Sequence, residues 1–286
     1  MVFCVTGKSV ETVAVEAFGV TVEVTADPEY FAAVSDFLPP GARPAKHPPE
    51  RGRFALVKDT DQALLNVMCD EKSIAGPFDL RLALGILDAE LRMHIALHAP
   101  DHVFVHAGVV GVEGHAIVLP GRSFAGKTTL VAALVQAGAE YWSDEYAVLD
   151  NDGLVHPYPK PLSIRIDDTR LTDEQPIESL GGRAGDRSLP AALIAFTSYR
   201  PGVAWTPHPR TAGEGAVKLL EHSIAARSRP EQVLAAVRRA TTNAMILEGD
   251  RGDADQTANA LLSQQSSQLT ERPAPQQLTE RPAPQP

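Results

Sequence analysis

The side chains best placed to do chemistry are His106, the pair Lys127-Thr128 and the pair Asp144-Glu145. Lys127 and Thr128 sit near the end of Gly121-Arg122-Ser123-Phe124-Ala125-Gly126-Lys127-Thr128-Thr129. That segment follows the apolar run Ala116-Ile117-Val118-Leu119 and leads into Leu130-Val131-Ala132-Ala133-Leu134-Val135. Strand, glycine-framed turn and helix, in that order, form the Walker A context. A helix N-terminus offers unpaired N–H groups and the positive end of its dipole to a polyanion. Gly121 and Gly126 let the backbone close around phosphates. Lys127 is expected to reach the β- and γ-phosphates, and Thr128 to place its hydroxyl on Mg²⁺. Residues Gly121 to Thr129 are therefore the expected nucleotide-binding set, with ATP and Mg²⁺ as ligands. Phe124 stands where many such loops carry glycine, and a positive φ there would strain it.

Phosphotransferases with such a loop need a carboxylate for the metal, and often another to accept the substrate proton. Asp144 and Glu145 lie 17 and 18 residues after Lys127, at an expected strand end beside the loop. One would hold Mg²⁺ and the other would act as general base; their types alone do not divide the two roles. His106 closes the strand Val103-Phe104-Val105 and could orient the base or move a proton. Arg122, Arg165 and Arg200 are weaker candidates for clamps on the transferring phosphoryl group. His94, His98, His102 and His106 recur every four residues, but Pro100 interrupts the helix, so only His94 and His98 can share a face.

These side chains need elements to position them. Alternating valines over residues 10–25 around Phe18-Gly19 predict a hairpin. Asp27-Pro28 opens a short helix that stops at Leu38-Pro39-Pro40-Gly41, and 39–52 read as a surface loop. Phe54–Val57 and Leu64–Cys69 read as strands. Leu80, Leu84, Leu87, Leu91 and Ile95 mark one face of a helix ending near Pro100. Val109–Val112 and His115–Leu119 flank the turn Glu113-Gly114. The loop helix should end at Gly138. Ala139–Leu149 reads as one strand carrying Ser143-Asp144-Glu145, closed by the turn 150–153. A strand at Leu193–Phe196, helices at Ala216–Ile224 and Pro230–Ala240, a strand at Ala244–Leu247 and a helix at Asp253–Leu262 follow. Beyond them, the nonapeptide Gln-Leu-Thr-Glu-Arg-Pro-Ala-Pro-Gln occurs twice in succession from Gln268. Residues 263–286 are too polar and proline-rich to bury a core, so a disordered tail is expected.

The chain has 286 residues, 44% of them hydrophobic, with a net charge of −10. That is enough for one large or two modest domains. Without a basic run, a nucleic-acid partner is not expected. Cys4 and Cys69 form no Cys-x-x-Cys, so neither a disulfide framework nor a zinc site is suggested. No apolar stretch reaches the ~18 residues of a membrane span and no signal peptide opens the sequence. A soluble cytoplasmic protein without membrane association is the expectation.

Taken together, His106-Ala-Gly-Val-Val, the loop ending in Lys127-Thr128-Thr129-Leu130, and Ala137-Gly-Ala-Glu-Tyr-Trp-Ser-Asp-Glu145 are distinctive. In them the chain resembles the HPr kinase/phosphorylase family, and its HPr-kinase-related bacterial branch more than the founding enzymes. The resemblance is strong over about 100–165 and extends more weakly to 262. It implies an α/β fold with a P-loop kinase core of the HPr kinase/phosphoenolpyruvate carboxykinase type and a mixed sheet. A smaller α+β region at 1–99 would precede a kinase domain at 100–262, with the tail at 263–286. It implies ATP-dependent phosphorylation of a serine hydroxyl, with Lys127 on the phosphates, Thr128 at Mg²⁺, and His106 assisting the acid–base group. Glu145 stands where the family has its proton-accepting aspartate. No Glu-Ile/Val-Arg-Gly-Leu-Gly segment follows, and the first hundred residues differ from the founding N-terminal domain. HPr itself is therefore not the expected acceptor, which could be a peptide, a protein or a small molecule. Founding members are oligomers, so a homo-oligomer is among the expected assemblies. A nucleotide-dependent switch or scaffold, or an ATPase without an acceptor, stays open beside the kinase reading.

Overall fold

The computed structural model describes residues 3–5, 8–59, 64–121, 126–165 and 172–271. The first part comprises β1 (Phe3–Val5), β2 (Lys8–Ala17), β3 (Val20–Ala26), α1 (Pro28–Ser35), β4 (Arg43–Pro44), β5 (Arg53–Lys58), β6 (Leu65–Cys69), β7 (Lys72–Phe78) and α2 (Leu80–His98). Its strands form a seven-stranded sheet in the order β1-β2-β3-β5-β6-β7, with β4 beside β2. Pairings are antiparallel except β3 with β5. Ala17 pairs with Val20, so Phe18-Gly19 is a two-residue turn, and both residues have positive φ, as a primed hairpin turn requires. Val20, Val22, Val24 and Ala26 all point into the core. The Asp79 side chain caps α2 by accepting from Leu82 N at 3.0 Å, and Leu84, Leu87, Leu91 and Ile95 are buried along one face. The expected elements here are present, but the sequence reading lacked β1, the two-residue β4 inside the expected 39–52 loop, and β7. That edge strand is mostly exposed, so no alternation marks it, and its turn uses Asp70 and Glu71 at positive φ in place of glycine.

The second part comprises β8 (His102–Val112), β9 (His115–Pro120), α3 (Lys127–Gln136), β10 (Glu140–Ser143), β11 (Tyr146–Asp150), β12 (Leu154–His156), β13 (Leu162–Arg165), β14 (Thr172–Gln175), a 3₁₀ turn at Ile177–Leu180, β15 (Leu189–Tyr199), β16 (His208–Arg210), α4 (Ala212–Glu221), α5 (Pro230–Thr242), β17 (Met245–Arg251) and α6 (Ala254–Glu271). An eight-stranded sheet runs β10-β8-β11-β12-β15-β17-β16, with β9 pairing both β8 and β15. It is mixed, because β15 is parallel to β9 and β17 while the other pairings are antiparallel. The protein is thus a mixed α/β structure. Among the described residues no helix is long and apolar enough to cross a membrane.

Alternation along the strands sorts what packs where, since neighbouring side chains point to opposite faces. Val103, Val105 and Val109 of β8 join the core under α4 and α5. Phe104 packs with the first sheet and α2, and Val110 packs with α3 and α6. One face of the larger sheet therefore carries α4 and α5. The other carries the first part of the chain at one end and the loop helix at the other. His106 has the parity of Phe104 and Val110, so it lies on that shared face, between the two. The first core also includes Tyr146, Val148 and Tyr158, so the regions 1–99 and 100–262 share packing across the expected boundary.

Three expectations need correction. Residues 139–149 are not one strand: they break at Asp144-Glu145 into β10 and β11, both paired along β8. Val103–His106 is not a separate strand but the start of the continuous β8. The last helix does not stop at Leu262 but runs to Glu271, so residues 263–271 are helix rather than tail. Gln265 is buried there and its Nε2 donates to Val112 O at 3.0 Å. Its polar neighbours resemble a tail in composition, yet the Ser263 and Ser267 hydroxyls return hydrogen bonds to the carbonyls of Asn259 and Ser263. Most of the duplicated nonapeptide lies outside the described residues.

Candidate active site

The loop leaves β9 at Gly121, whose N–H donates to His106 O at 3.2 Å. It re-enters at Gly126, which caps α3 with φ 75° and ψ 21°. Glycine is needed at 126 for two reasons. The left-handed backbone disfavours a side chain, and a Cβ would lie 2.7 Å from Arg251 Nη2. That same nitrogen donates to Gly126 O at 2.7 Å, tying the end of β17 to the loop. Lys127 Nζ donates to Gly121 O at 2.8 Å, spanning the mouth of the loop. Burial lowers the Lys127 pKa, and Glu145 and Asp144 pull against that shift. Arg122, Ser123, Phe124 and Ala125, the centre of the expected nucleotide loop, lie outside the described residues.

Thr128 Oγ1 donates to Asp144 Oδ2 at 3.1 Å. The Tyr141 hydroxyl lies 3.2 Å from Asp144 Oδ1 and 2.7 Å from Lys160 O, sharing its one proton between them. Asp144 is buried. Burial and the neighbouring Glu145 charge raise its pKa, while the hydrogen bonds from Thr128 and Tyr141 act in the opposite direction.

The break that presents this pair has a local cause. The buried Ser143 Oγ accepts from Glu145 N at 3.1 Å and from Tyr146 N at 2.9 Å. A side chain that takes two consecutive amides competes with the strand ladder for them. The chain turns there, and Asp144 and Glu145 diverge.

Glu145 lies on the other side of the break, one-third exposed. Its Oε1 is 2.9 Å from Arg92 Nη1 and 3.8 Å from His106 Nδ1. The second distance is electrostatic contact rather than a hydrogen bond. Burial lowers the His106 pKa below 6.5, with Glu145 opposing, so the imidazole is neutral at pH 7. Arg92 also holds Asp88 at 3.1 Å, and Lys160 Nζ lies 2.5 Å from Asp88 Oδ1. Burial disfavours the Arg92 charge, but Asp88 and Glu145 outweigh it and raise its pKa.

The structure thus gathers His106, Lys127, Thr128, Asp144 and Glu145 into one site in the seam between α2 and α3. It does not put Arg200 among them: that side chain is exposed and pairs with Asp250 at 3.0 Å. The Arg165 side chain is outside the described residues. Sequence reasoning missed Arg92, Asp88, Lys160, Tyr141, Ser143 and Arg251. A signal existed for two of them, because Asp88 and Arg92 form an i,i+4 pair inside the apolar stripe of α2. Charges in such a stripe need partners.

His94 and His98 stack with ring centroids 4.4 Å apart, far from the role of His106. Among the described residues no group of three or more His, Cys, Asp and Glu side chains is arranged to hold a metal ion. No family model matches the chain, and no curated protein matches it.

Proposed function

We propose that this chain is an ATP-dependent phosphotransferase that passes the γ-phosphate to a serine-like hydroxyl on a peptide, protein or small molecule. In this reading the larger sheet and its helices are a P-loop kinase core of the HPr kinase/phosphoenolpyruvate carboxykinase type, of the HPr-kinase-related branch. The observation that carries it is the 3.1 Å contact from Thr128 of the loop helix to Asp144, beside a Glu145 flanked by Arg92 and His106. A plain nucleotide binder does not need that second carboxylate and imidazole.

The residues fit a magnesium nucleotide. Mg²⁺ sites in phosphotransferases use one or two protein carboxylates and fill the rest with water and phosphate oxygens. Asp144 supplies a carboxylate and Thr128 a hydroxyl within 3.1 Å of it. A Mg²⁺ held by Asp144 and Thr128 would supply charge neutralisation for the transferring phosphate. Lys127 exchanges its Gly121 carbonyl for phosphate oxygens, and the α3 N-terminus turns the positive end of its dipole toward them.

Asp144 is buried and already hydrogen-bonded, so it serves the metal. Glu145, more open, serves as the base. The acceptor hydroxyl gives its proton to Glu145, its oxygen bonds to the γ-phosphorus, and the bond to the β-phosphate oxygen breaks to release ADP. Arg92 holds Glu145 as an oriented carboxylate, and neutral His106 beside it can relay the proton outward.

The test is ATP consumption with and without a panel of hydroxyl acceptors, serine peptides included. Acceptor-dependent consumption with phosphate recovered on the acceptor supports the kinase. Acceptor-independent phosphate release supports an ATPase, and nucleotide binding without consumption supports a switch.

A further inference from the structure

A concavity opens beside the N-terminal turn of the loop helix, round the helix from the Thr128–Asp144 contact, and the proposed phosphotransfer leaves it unexplained. It measures about 750 Å³ and lies against Gly126, Thr129 and Arg251, within the usual ~300–1,000 Å³ of small-molecule sites. Its place relative to the phosphates follows from helix geometry. Thr128 points at Asp144, and Thr129, about 100° further round the helix, is exposed and lines the cleft. Thr128 and Thr129 are consecutive, so a polyphosphate whose terminal end lies by Thr128, Asp144 and Glu145 has the cleft within reach of its other end.

The walls suit a nucleoside better than more phosphate. Arg251 is 2% exposed and its guanidinium is spent on structure: Nη2 reaches Gly126 O at 2.7 Å and Nε lies 3.4 Å from Thr197 Oγ1. Its guanidinium carbon also lies 5.5 Å from the centroid of the Tyr199 ring. Tyr199 thus has a cation beside its ring, is 59% exposed, and lines the cleft. A large and open aromatic side chain beside a pocket can serve as a stacking platform. Asp253 and Asp255 stand on the rim, both exposed. Asp253 Oδ1 already accepts from Gln256 N at 2.9 Å; its other oxygen and the Asp255 carboxylate disfavour a phosphate chain but can accept hydrogen bonds from sugar hydroxyls.

We propose that this cleft is the nucleoside pocket of the site, with Tyr199 stacking on the base and the carboxylates of Asp253 and Asp255 on the ribose side. The inference rests on the reading of Gly121–Thr129 as a triphosphate loop, and the experiment separates the two. Binding of Mg·ADP and of Mg·tripolyphosphate, which has no nucleoside, is measured calorimetrically for the wild type, Lys127→Ala, Tyr199→Ala and Tyr199→Phe. Loss of base stacking is worth roughly tenfold in affinity. Tyr199→Ala is expected to weaken ADP by about that factor, to leave tripolyphosphate unchanged, and to be restored by Tyr199→Phe. If tripolyphosphate binds and depends on Lys127, but Tyr199→Ala binds ADP as the wild type does, the pocket assignment is wrong and the loop reading stands. Equal weakening of ADP and tripolyphosphate by Tyr199→Ala also overturns it, since the residue would then shape the loop rather than meet the base. If the wild type binds neither compound, the loop reading fails and takes the pocket with it.

Discussion

The Arg92 guanidinium lies 2.9 Å from the Glu145 carboxylate, and the two residues come from different layers of the molecule. Arg92 sits on α2, which covers the first sheet; Glu145 sits in the break between β10 and β11. The contact belongs to a closed circuit. Tyr141 links Asp144 to the Lys160 carbonyl, Lys160 meets Asp88, Asp88 meets Arg92, and Arg92 meets Glu145, with Thr128 attached at Asp144. The Asp144–Glu145 peptide bond completes it. The first hundred residues carry no catalytic motif, yet they brace the carboxylate proposed as the base.

Replacing Arg92 tests that bracing. Arg92→Ala leaves the loop intact, so the ADP dissociation constant should stay within about twofold. Turnover of ATP should fall by roughly 10²-fold, the order expected when a reacting group is displaced by about 1 Å. Arg92→Lys keeps the charge but not the planar fork that reaches both Asp88 and Glu145, and should recover only part of the loss. Parallel titrations and ATP-consumption assays decide it; a variant that turns over at the wild-type rate removes Arg92 from the site.

Ser143 carries the break that splits the acidic pair from the ladder. Ser143→Ala leaves the buried N–H of Tyr146 and the half-buried N–H of Glu145 without their acceptor. Unsatisfied buried donors cost about 1–3 kcal/mol, so urea denaturation should show a lower midpoint at unchanged slope, the slope times the shift amounting to that loss. An unchanged midpoint would mean that the backbone makes this break without the hydroxyl.

His106 gives a pH signature. Burial lowers its pKa and Glu145 partly restores it. The folded state thus prefers the neutral ring. As pH falls below about 6.5, the ordinary imidazole value, the unfolded chain takes up its proton first, and this residue's contribution to stability is lost over the window down to the lowered folded value. An NMR titration of the imidazole should place the midpoint below 6.5, and Glu145→Gln should push it lower still. A midpoint at or above 6.5 would contradict the buried placement.

Gly126 ties the loop to β17. Gly126→Ala must adopt a left-handed backbone, a cost of about 1–2 kcal/mol, and must displace Arg251 Nη2 from 2.7 Å. Lower stability by thermal denaturation should accompany weaker ADP binding. Stability lost without any change in ADP affinity would separate this glycine from the nucleotide loop.

Much of this was legible in the residues. The hairpin around Phe18-Gly19, the buried face of α2 and the strand–loop–helix around Lys127 follow from local patterns, and so does the nearness of Asp144-Glu145 to that loop. What was not legible depends on distant packing or on a side chain replacing the backbone. β7 and β12 bury too little, or are too short, to show a period. The start of α4 is set by a reciprocal cap in which Thr211 N donates to Glu214 Oε2 at 2.8 Å and Glu214 N to Thr211 Oγ1 at 3.2 Å, four residues before the expected Ala216. Arg92 reaches Glu145 only because the first sheet packs on Phe104 and Tyr146, a relation that spacing along the chain does not encode.

The division of labour between the two carboxylates is the centre of the account, and Glu145→Gln addresses it most directly. The amide keeps the size of Glu145 and loses its basicity, while Thr128, Lys127 and Asp144 are untouched. With Mg·ATP and a hydroxyl acceptor that the wild type phosphorylates, the variant should bind ATP like the wild type and lose roughly 10²–10⁴-fold in phosphate transfer, the range of a general base. Full transfer by Glu145→Gln would contradict the assignment.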